Sequence, residues 1–355
     1  MNNDRIQEIL DLMEEARLDY FLISDPQSIA YCTGYYNDPH ERMFVFMISK
    51  HGNHTLFMND LFYLDHDLDV NIVWHKDGQD AIQTIVDEMH FPGRIGIDKN
   101  WASHFLLDLM KKLPDAKYIN ASPCVDLVRM KKDLQEQVLM IESSKINDAV
   151  MEEIIPFIQE GVTEKQLAKK LDELFFNHHS TCYGAIVAFG KNAADPHHEN
   201  DDTLLRKGDC VLIDMGCVYK GYCSDMTRTF FYEGILEEEI KVYEIVKKAN
   251  EAAEAMIKPG VKLSDIDKCA RKVISDEGYG KYFTHRVGHF IGRDVHEYGD
   301  VSSVNEMEVE EGMIFSIEPG IYLEGNFGVR VEDLVMVTKD GCQVLNSFTK
   351  DIYII

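Results

Sequence analysis

Basic residues are scarce in this chain. Lysine and arginine number 36 against 62 aspartates and glutamates, for a net charge of −26. Phosphate backbones and anionic bilayers are held by basic surfaces, so neither nucleic acid nor membrane is an expected partner. Long apolar runs are also missing. No segment approaches the roughly 18 apolar residues of a membrane span, and no apolar stretch follows the polar opening Met1-Asn2-Asn3-Asp4-Arg5 as it would in a secretory leader. The eight cysteines include no CxxC pair. Scattered in a chain of this size they read as reduced thiols, and a cytoplasmic location is expected. Solubility accounts for the excess acid.

What is present is an ordinary globular composition, 45% apolar and 28% charged over 355 residues, enough for two domains. The first part mixes helix and strand. Ile6, Ile9, Leu10 and Met13 form a helical stripe between Asp4 and Leu18. Tyr20–Ser24, Met43–Ser49, His54–Met58, Asn71–Trp74, Arg94–Ile97 and Lys117–Asn120 read as strands, and Asp80–Met89 and Ser103–Leu113 as helices. Ala121-Ser-Pro-Cys124 reads as a boundary, and a charged helical stretch follows from Lys131 to about Ile155. The expected division is a smaller α/β domain over residues 1–127 and a second domain over 128–355.

The second domain repeats itself. Gly161-Val162 and Gly260-Val261 each separate two helical stretches, and His197 and His296 follow those glycines at equal distance. Gly208 precedes Asp214 as Gly312 precedes Glu318, and each acid is followed two residues later by glycine, Gly216 and Gly320. Self-similarity at this period predicts two similar halves, with equivalent residues converging on a pseudo-two-fold axis.

The most informative positions lie at the strand ends of those halves. Val211 to Phe230 reads as two strands joined by a tight turn near Tyr219, Lys220 and Gly221, and an odd separation is expected to set Asp214 directly opposite Asp225. A hairpin centred near Gly325 would bring Glu318 and Glu332 together in the same way. Single acids at strand ends usually cap turns or face solvent. These follow Val-Leu-Ile, Phe-Ser-Ile and Val-Arg-Val, and burying a carboxylate without a partner is costly. With His289 they form a set suited to Mn²⁺, Co²⁺, Zn²⁺ or Fe²⁺, which ligand type alone does not separate, and two such ions support hydrolysis by an activated water.

The motifs Ile213-Asp-Met-Gly216, Ser224-Asp-Met-Thr-Arg-Thr229, His285-Arg-Val-Gly-His289, Ser316-Ile-Glu-Pro-Gly320 and Val329-Arg-Val-Glu-Asp333 resemble those of the metal-dependent aminopeptidase and prolidase family with the pita-bread fold. The resemblance covers about Lys132 to Ile355, and the first part is similar to the N-terminal domain of prolidases, aminopeptidases P and creatinases. It implies an α+β chain with a pita-bread catalytic domain behind a creatinase-type domain. It further implies that Asp225 and Glu332 bridge two metals, that Asp214 chelates one, and that His289 and Glu318 complete the other. Glu318 would also carry the proton, and His197 and His296 would hold substrate and stabilise the transition state. Phe290 departs from the usual glycine, which implies a narrower pocket or a shifted strand. His198 is read as a rim residue.

A proline dipeptide carries a carboxylate that needs a cation. Arg293 is the first choice, with an outward arginine in a surface ion pair as the competing reading. Arg330 shares strand parity with Glu332, and His285 lies in the same segment. Tyr183 is read as a wall of the proline pocket or as plain core. Homologous dimers imply a homodimer in which Asp38 and His40, on the loop before Arg42, screen dipeptides from longer peptides; an ordinary solvated loop is the alternative. The expected activity is hydrolysis of Xaa-Pro dipeptides, with aminopeptidase P action on longer chains as runner-up. A non-enzymatic module is disfavoured because all five ligands are kept.

Overall fold

The computed structural model describes residues 1–64 and 67–355. The chain divides into two compact units, Met1–Arg129 and Met130–Ile355.

The first unit is a mixed sheet with helices on both faces. Its elements are α1 (Asn3–Glu15), β1 (Tyr20–Ile23), α2 (Pro26–Thr33), β2 (Val45–Ser49), β3 (Thr55–Asn59), β4 (Asn71–His75), α3 (Ala81–Glu88), β5 (Arg94–Ile97), α4 (Ser103–Lys112), β6 (Lys117–Asn120) and α5 (Ser122–Met130), the last ending at the border. The strand order is β4-β3-β2-β1-β5-β6. On β1, Phe21 and Ile23 face one core with Ile6, Ile9 and Met13 of α1, while Tyr20 and Leu22 face the other with Ile82 and Ile85 of α3. Central strands buried on both faces are continuously apolar, which is why they are legible in the sequence.

Two helices escape that reading. The eight-residue α2 opens with Asp25 as N-cap and Pro26 in its first turn, and six of its residues are buried. A helix apolar on all sides shows no period-3.6 stripe. The Ala121-Ser-Pro-Cys124 segment, read as a boundary, instead opens α5, because proline is well placed in the first helical turn.

The second unit carries the repeat. The first half contains α6 (Leu134–Ile154), α7 (Glu164–Asn177), β7 (Thr181–Cys182), β8 (Ile186–Phe189), β9 (Cys210–Met215), β10 (Cys217–Tyr219), β11 (Tyr222–Cys223) and β12 (Met226–Phe231). The second contains α8 (Glu237–Met256), α9 (Leu263–Asp276), β13 (Gly288–His289), β14 (Asp300–Val301), β15 (Ile314–Ile317), β16 (Gly320–Leu323), β17 (Phe327–Arg330), β18 (Asp333–Val337) and β19 (Cys342–Val344). Capping boxes start α6 at Asp133 with Glu136 and α7 at Thr163 with Gln166. Helices α7 and α9 match end for end, and Gly161 and Gly260 before them share positive φ values of 82° and 85°.

The hairpins of the two halves differ in register. In the first, Tyr219 pairs with Tyr222 across a two-residue loop. Lys220 and Gly221 there have φ of 49° and 83°, the type I′ geometry that wants glycine second. That turn carries the ladder on so that Asp214 pairs with Thr227. Asp214 and Asp225 are therefore diagonal neighbours on one face, not directly opposed as expected. A slip of two residues preserves the face. In the second half, Ile317 pairs with Asp333 and Gly320 with Arg330. Glu318 and Glu332 hold matching places between those ladders, as expected.

Candidate metal centre

The strand ends deliver a compact group of acids and one imidazole. One oxygen each of Asp225 and Glu332 and one ring nitrogen of His289 lie within 4.8 Å of one another, and all three residues are buried. His289 Nε2 is 3.6 Å from Asp225 Oδ2 and 3.5 Å from Glu318 Oε1. Its other nitrogen, Nδ1, lies 3.2 Å from the Phe290 carbonyl oxygen and donates to it, which directs an unprotonated Nε2 at the acids. Ser316 joins two members of the group: its hydroxyl accepts from the His289 amide at 2.9 Å and donates to Glu318 Oε1 at 3.2 Å. Gly288 makes that approach feasible, since a Cβ there would stand 1.9 Å from the Ser316 carbonyl oxygen.

Asp214 enters the group through Arg330. Arg330 Nη2 donates to Asp214 Oδ2 at 2.6 Å, Nε to Thr227 Oγ1 at 3.0 Å and Nη1 to the Tyr322 hydroxyl at 3.0 Å. Thr227 in turn donates to Glu332 Oε2 at 2.6 Å. On the other side His285 Nε2 lies 2.8 Å from the Tyr322 hydroxyl. Arg330, His285 and Tyr322 thus form one bonded line beside the acids.

The electrostatics follow from burial. Burial, with the charges of neighbouring acids, raises the carboxyls of Asp225 and Glu332 well above their ordinary range. Burial lifts Glu318 to about 7 although Arg330 and the Ser316 hydrogen bond pull it down. Burial and the nearby His296 push His289 down to about 3, so this imidazole is neutral at physiological pH. Burial opposes the Arg330 charge, but Tyr322, Asp214, Glu318 and Glu332 outweigh it and keep the guanidinium protonated. Carboxylates packed this closely are relieved by protons or by a cation. Asp225 Oδ1 is buried and has no hydrogen-bond partner among the described residues. An unpaired buried carboxylate oxygen beside a neutral imidazole nitrogen fits a divalent cation.

The two repeat histidines differ in setting. The His296 ring stands edge-on to His289 with centroids 4.2 Å apart. His197 is exposed on the loop after β8. Arg330 Nη1 reaches the carbonyl of its neighbour Pro196 at 3.4 Å, and the fields at His285 and His296 both include His197.

The remaining sequence candidates fall as follows. The Tyr183 hydroxyl donates to the Ser224 carbonyl at 2.8 Å and passes over Gly216, where a Cβ would lie 2.0 Å from it. Arg293 sets its guanidinium 5.4 Å from the centre of the Tyr222 ring, at the β10–β11 turn, whereas the arginine charges that act on Glu318 are those of Arg330 and Arg286. Asp38 and His40 bond to one another on an exposed loop: the His40 amide donates to Asp38 Oδ1 at 3.0 Å.

Two expectations need correction. Phe290 is fully buried. Its ring packs on Phe315 at 5.3 Å between centroids and takes the space that a Cβ on Gly299 would claim. The phenyl group is core, so it has no pocket to narrow. His198 is no rim residue: its Nε2 lies 2.7 Å from the fully buried Glu164 carboxylate.

Thr227, Ser316, Tyr322 and Arg228 were not anticipated. Thr227 and Ser316 share strand parity with Asp225 and Glu318, and that parity was the available signal. Arg228 is fully buried. Its Nη1 donates to the carbonyls of Thr227 at 2.9 Å and Glu332 at 2.6 Å, and its Nη2 to Asp333 Oδ1 at 2.7 Å. It stitches the first half to the second.

Paired β-hairpins from two pseudo-symmetric halves, closing on buried acids and an imidazole, define a metallohydrolase of the pita-bread type. The chain belongs to metallopeptidase family M24, whose model matches residues 138–339, and residues 5–131 match the creatinase/prolidase N-terminal domain. A curated relative, an uncharacterized peptidase of Staphylococcus aureus, is 34% identical over 98% of this chain and 99% of its own length. Among solved structures, a dipeptidase from Pyrococcus horikoshii OT3 is 34% identical with a TM-score of 0.92, covering 99% of this chain and all of that one. A recombinant prolidase from Thermococcus sibiricus is 32% identical with a TM-score of 0.94, covering 100% of this chain and 99% of that one.

Proposed function

We propose that this peptidase hydrolyses the imide bond before proline in Xaa-Pro dipeptides, using two divalent cations held by Asp214, Asp225, His289, Glu318 and Glu332. The observation that carries the reading is the unpartnered Asp225 Oδ1 beside the buried His289 and Glu332. The substrate class is supported by the likeness to a dipeptidase and a prolidase along the whole chain.

Bound divalent ions supply a hydroxide nucleophile at neutral pH and polarise the scissile carbonyl. The protein's own groups do the rest. Ser316 engages Glu318 Oε1, which leaves Oε2 to take a proton from the attacking water and return it to the leaving nitrogen. The His296 and His197 imidazoles donate to the oxyanion as charge develops on it. A proline nitrogen in an imide bond has no N–H, so recognition rests on the fit of the ring. Tyr183, His285 and Arg330 are assigned to that side of the site. Mn²⁺ as working ion, a homodimer and a cytoplasmic location belong to the same reading.

The test is hydrolysis of Leu-Pro beside Leu-Pro-Gly by the protein loaded with Mn²⁺ or Co²⁺. Release of leucine from the dipeptide is expected. Cleavage of the tripeptide alone would assign an aminopeptidase P instead, and no cleavage of either with any divalent ion would end the proposal.

A further inference from the structure

The residue that follows each repeat histidine is held by a buried side chain from elsewhere in the second unit. In the first half, both oxygens of the buried Glu164 are saturated. Oε1 accepts from the Phe189 amide and from Asn192 Nδ2, each at 2.9 Å. Oε2 accepts from His198 at 2.7 Å and from the Asp201 amide at 3.0 Å. One carboxylate at the start of α7, where the helix terminus favours negative charge, thus gathers the whole loop from the end of β8 to Asp201. His197 lies inside that loop, between Pro196, whose carbonyl Arg330 holds, and His198.

In the second half the held residue is itself an acid, and a buried lysine holds it. Glu297 follows His296. Its Oε2 accepts from Lys132 Nζ at 2.9 Å and its Oε1 from the Arg293 amide at 2.9 Å, and its own amide donates to the Phe290 carbonyl at 2.8 Å. The side chains of Lys132 and Glu297 are 1% and 5% exposed. His198 and Glu297 stand at equivalent positions of the repeat, and each is held by a buried side chain, Glu164 for the first and Lys132 for the second.

Glu164, His198 and Asp201 also bring ligand atoms close enough for an ion. Four N–H donors already converge on the Glu164 carboxylate, so the cluster is a hydrogen-bond hub and not a second metal site.

We propose that His198, through Glu164, and Glu297, through Lys132, are positioning residues that fix the imidazoles of His197 and His296 for the reaction. The claim rests on the function proposed above. Neither residue touches substrate: each acts through its neighbour. An exposed histidine on a loop would otherwise sample many rotamers and backbone states, and a displacement of about 1 Å at a reacting group can cost roughly a hundredfold in rate.

The experiment compares H198A, H198Q, H197A and the double variant H197A/H198A, each loaded with Mn²⁺ and assayed on Leu-Pro. H198A is expected to lower kcat by roughly ten- to a hundredfold, with KM within threefold and an unchanged metal content. H198Q keeps an N–H for Glu164 and is expected to recover most of the loss. The double variant is expected to match H197A, because a residue that acts only through His197 has nothing further to lose. A double variant far slower than H197A, or H198A within twofold of wild type, overturns the proposal. E297Q against H296A tests the second half in the same way. Hydrogen exchange on the metal-free protein supplies a readout independent of turnover. H198A should speed exchange in residues 189–201 and leave 285–297 as in wild type, and unchanged exchange in 189–201 overturns the anchor. Should wild type cleave no Xaa-Pro peptide while exchange responds as expected, the function falls and the anchor stands.

Discussion

Arg330 Nη2 and Asp214 Oδ2 lie 2.6 Å apart, with the arginine side chain 3% exposed. The pair joins β17 of the second half to β9 of the first.

Removing that guanidinium should destabilise the metal-free protein. R330M leaves Asp214, whose side chain is 23% exposed, without its partner, and the loss should be smaller than the roughly 3–5 kcal/mol of a fully buried pair. Urea denaturation should show that loss, and D214N combined with R330M should recover part of it. Equal stability of R330M and wild type would show that the pair carries no such energy.

Metal removal should make stability pH-dependent in a defined direction. In the metal-free protein burial lifts Glu318 from 4.5 to about 7 and also raises Asp225 and Glu332 well above their ordinary range. A carboxyl raised on folding binds more protons in the native state, so stability falls as pH rises from the unfolded value through the folded one. Thermal melts of chelated protein are expected to drop between pH 5 and 8. Added Mn²⁺ should restore stability most at the upper end, by about 2.7 kcal/mol at a hundred times its Kd. D225N should abolish the response to Mn²⁺.

Phe290 should matter for folding and little for substrate. F290A removes a fully buried ring, which typically costs about 3–5 kcal/mol. Its KM for a proline dipeptide should stay within twofold. A KM that falls or rises tenfold at unchanged stability would return Phe290 to the pocket.

Gly216 is required by its neighbours. G216A would set a Cβ 2.0 Å from both the Ser224 carbonyl oxygen and the Tyr183 hydroxyl. Overpacking of this kind typically costs about 1–3 kcal/mol, and the Tyr183 hydrogen bond should be lost with it. A crystal structure of the variant with Tyr183 unmoved would refute this.

Much of the site was legible because strands have a period of two. Parity alone put Asp214 with Asp225 and Arg330 with Glu332 on shared faces, and a register slip of two residues left those faces intact. The slip itself was hidden in turn chemistry: only the requirement for Gly221 in the second, left-handed position fixes the ladder one step further on. His198 was misread because its partner, Glu164, lies in a different element, and no local pattern announces a contact of that kind. Phe290 was misjudged for a related reason. The space it fills is created by the missing side chain of Gly299, which sequence adjacency does not reveal. In the first unit the strands stood out as apolar runs, while α2, covered nearly all round, offered no contrast between faces.

Arg228 takes two further acceptors from the last stretch of the chain, the carbonyls of Phe348 at 2.8 Å and Thr349 at 3.1 Å. A product cut short before those residues would bury a cation with too few acceptors, directly beneath Thr227 and Glu332. A fragment cleaved before Phe348 would therefore lose part of the brace that ties the two halves together beside the site.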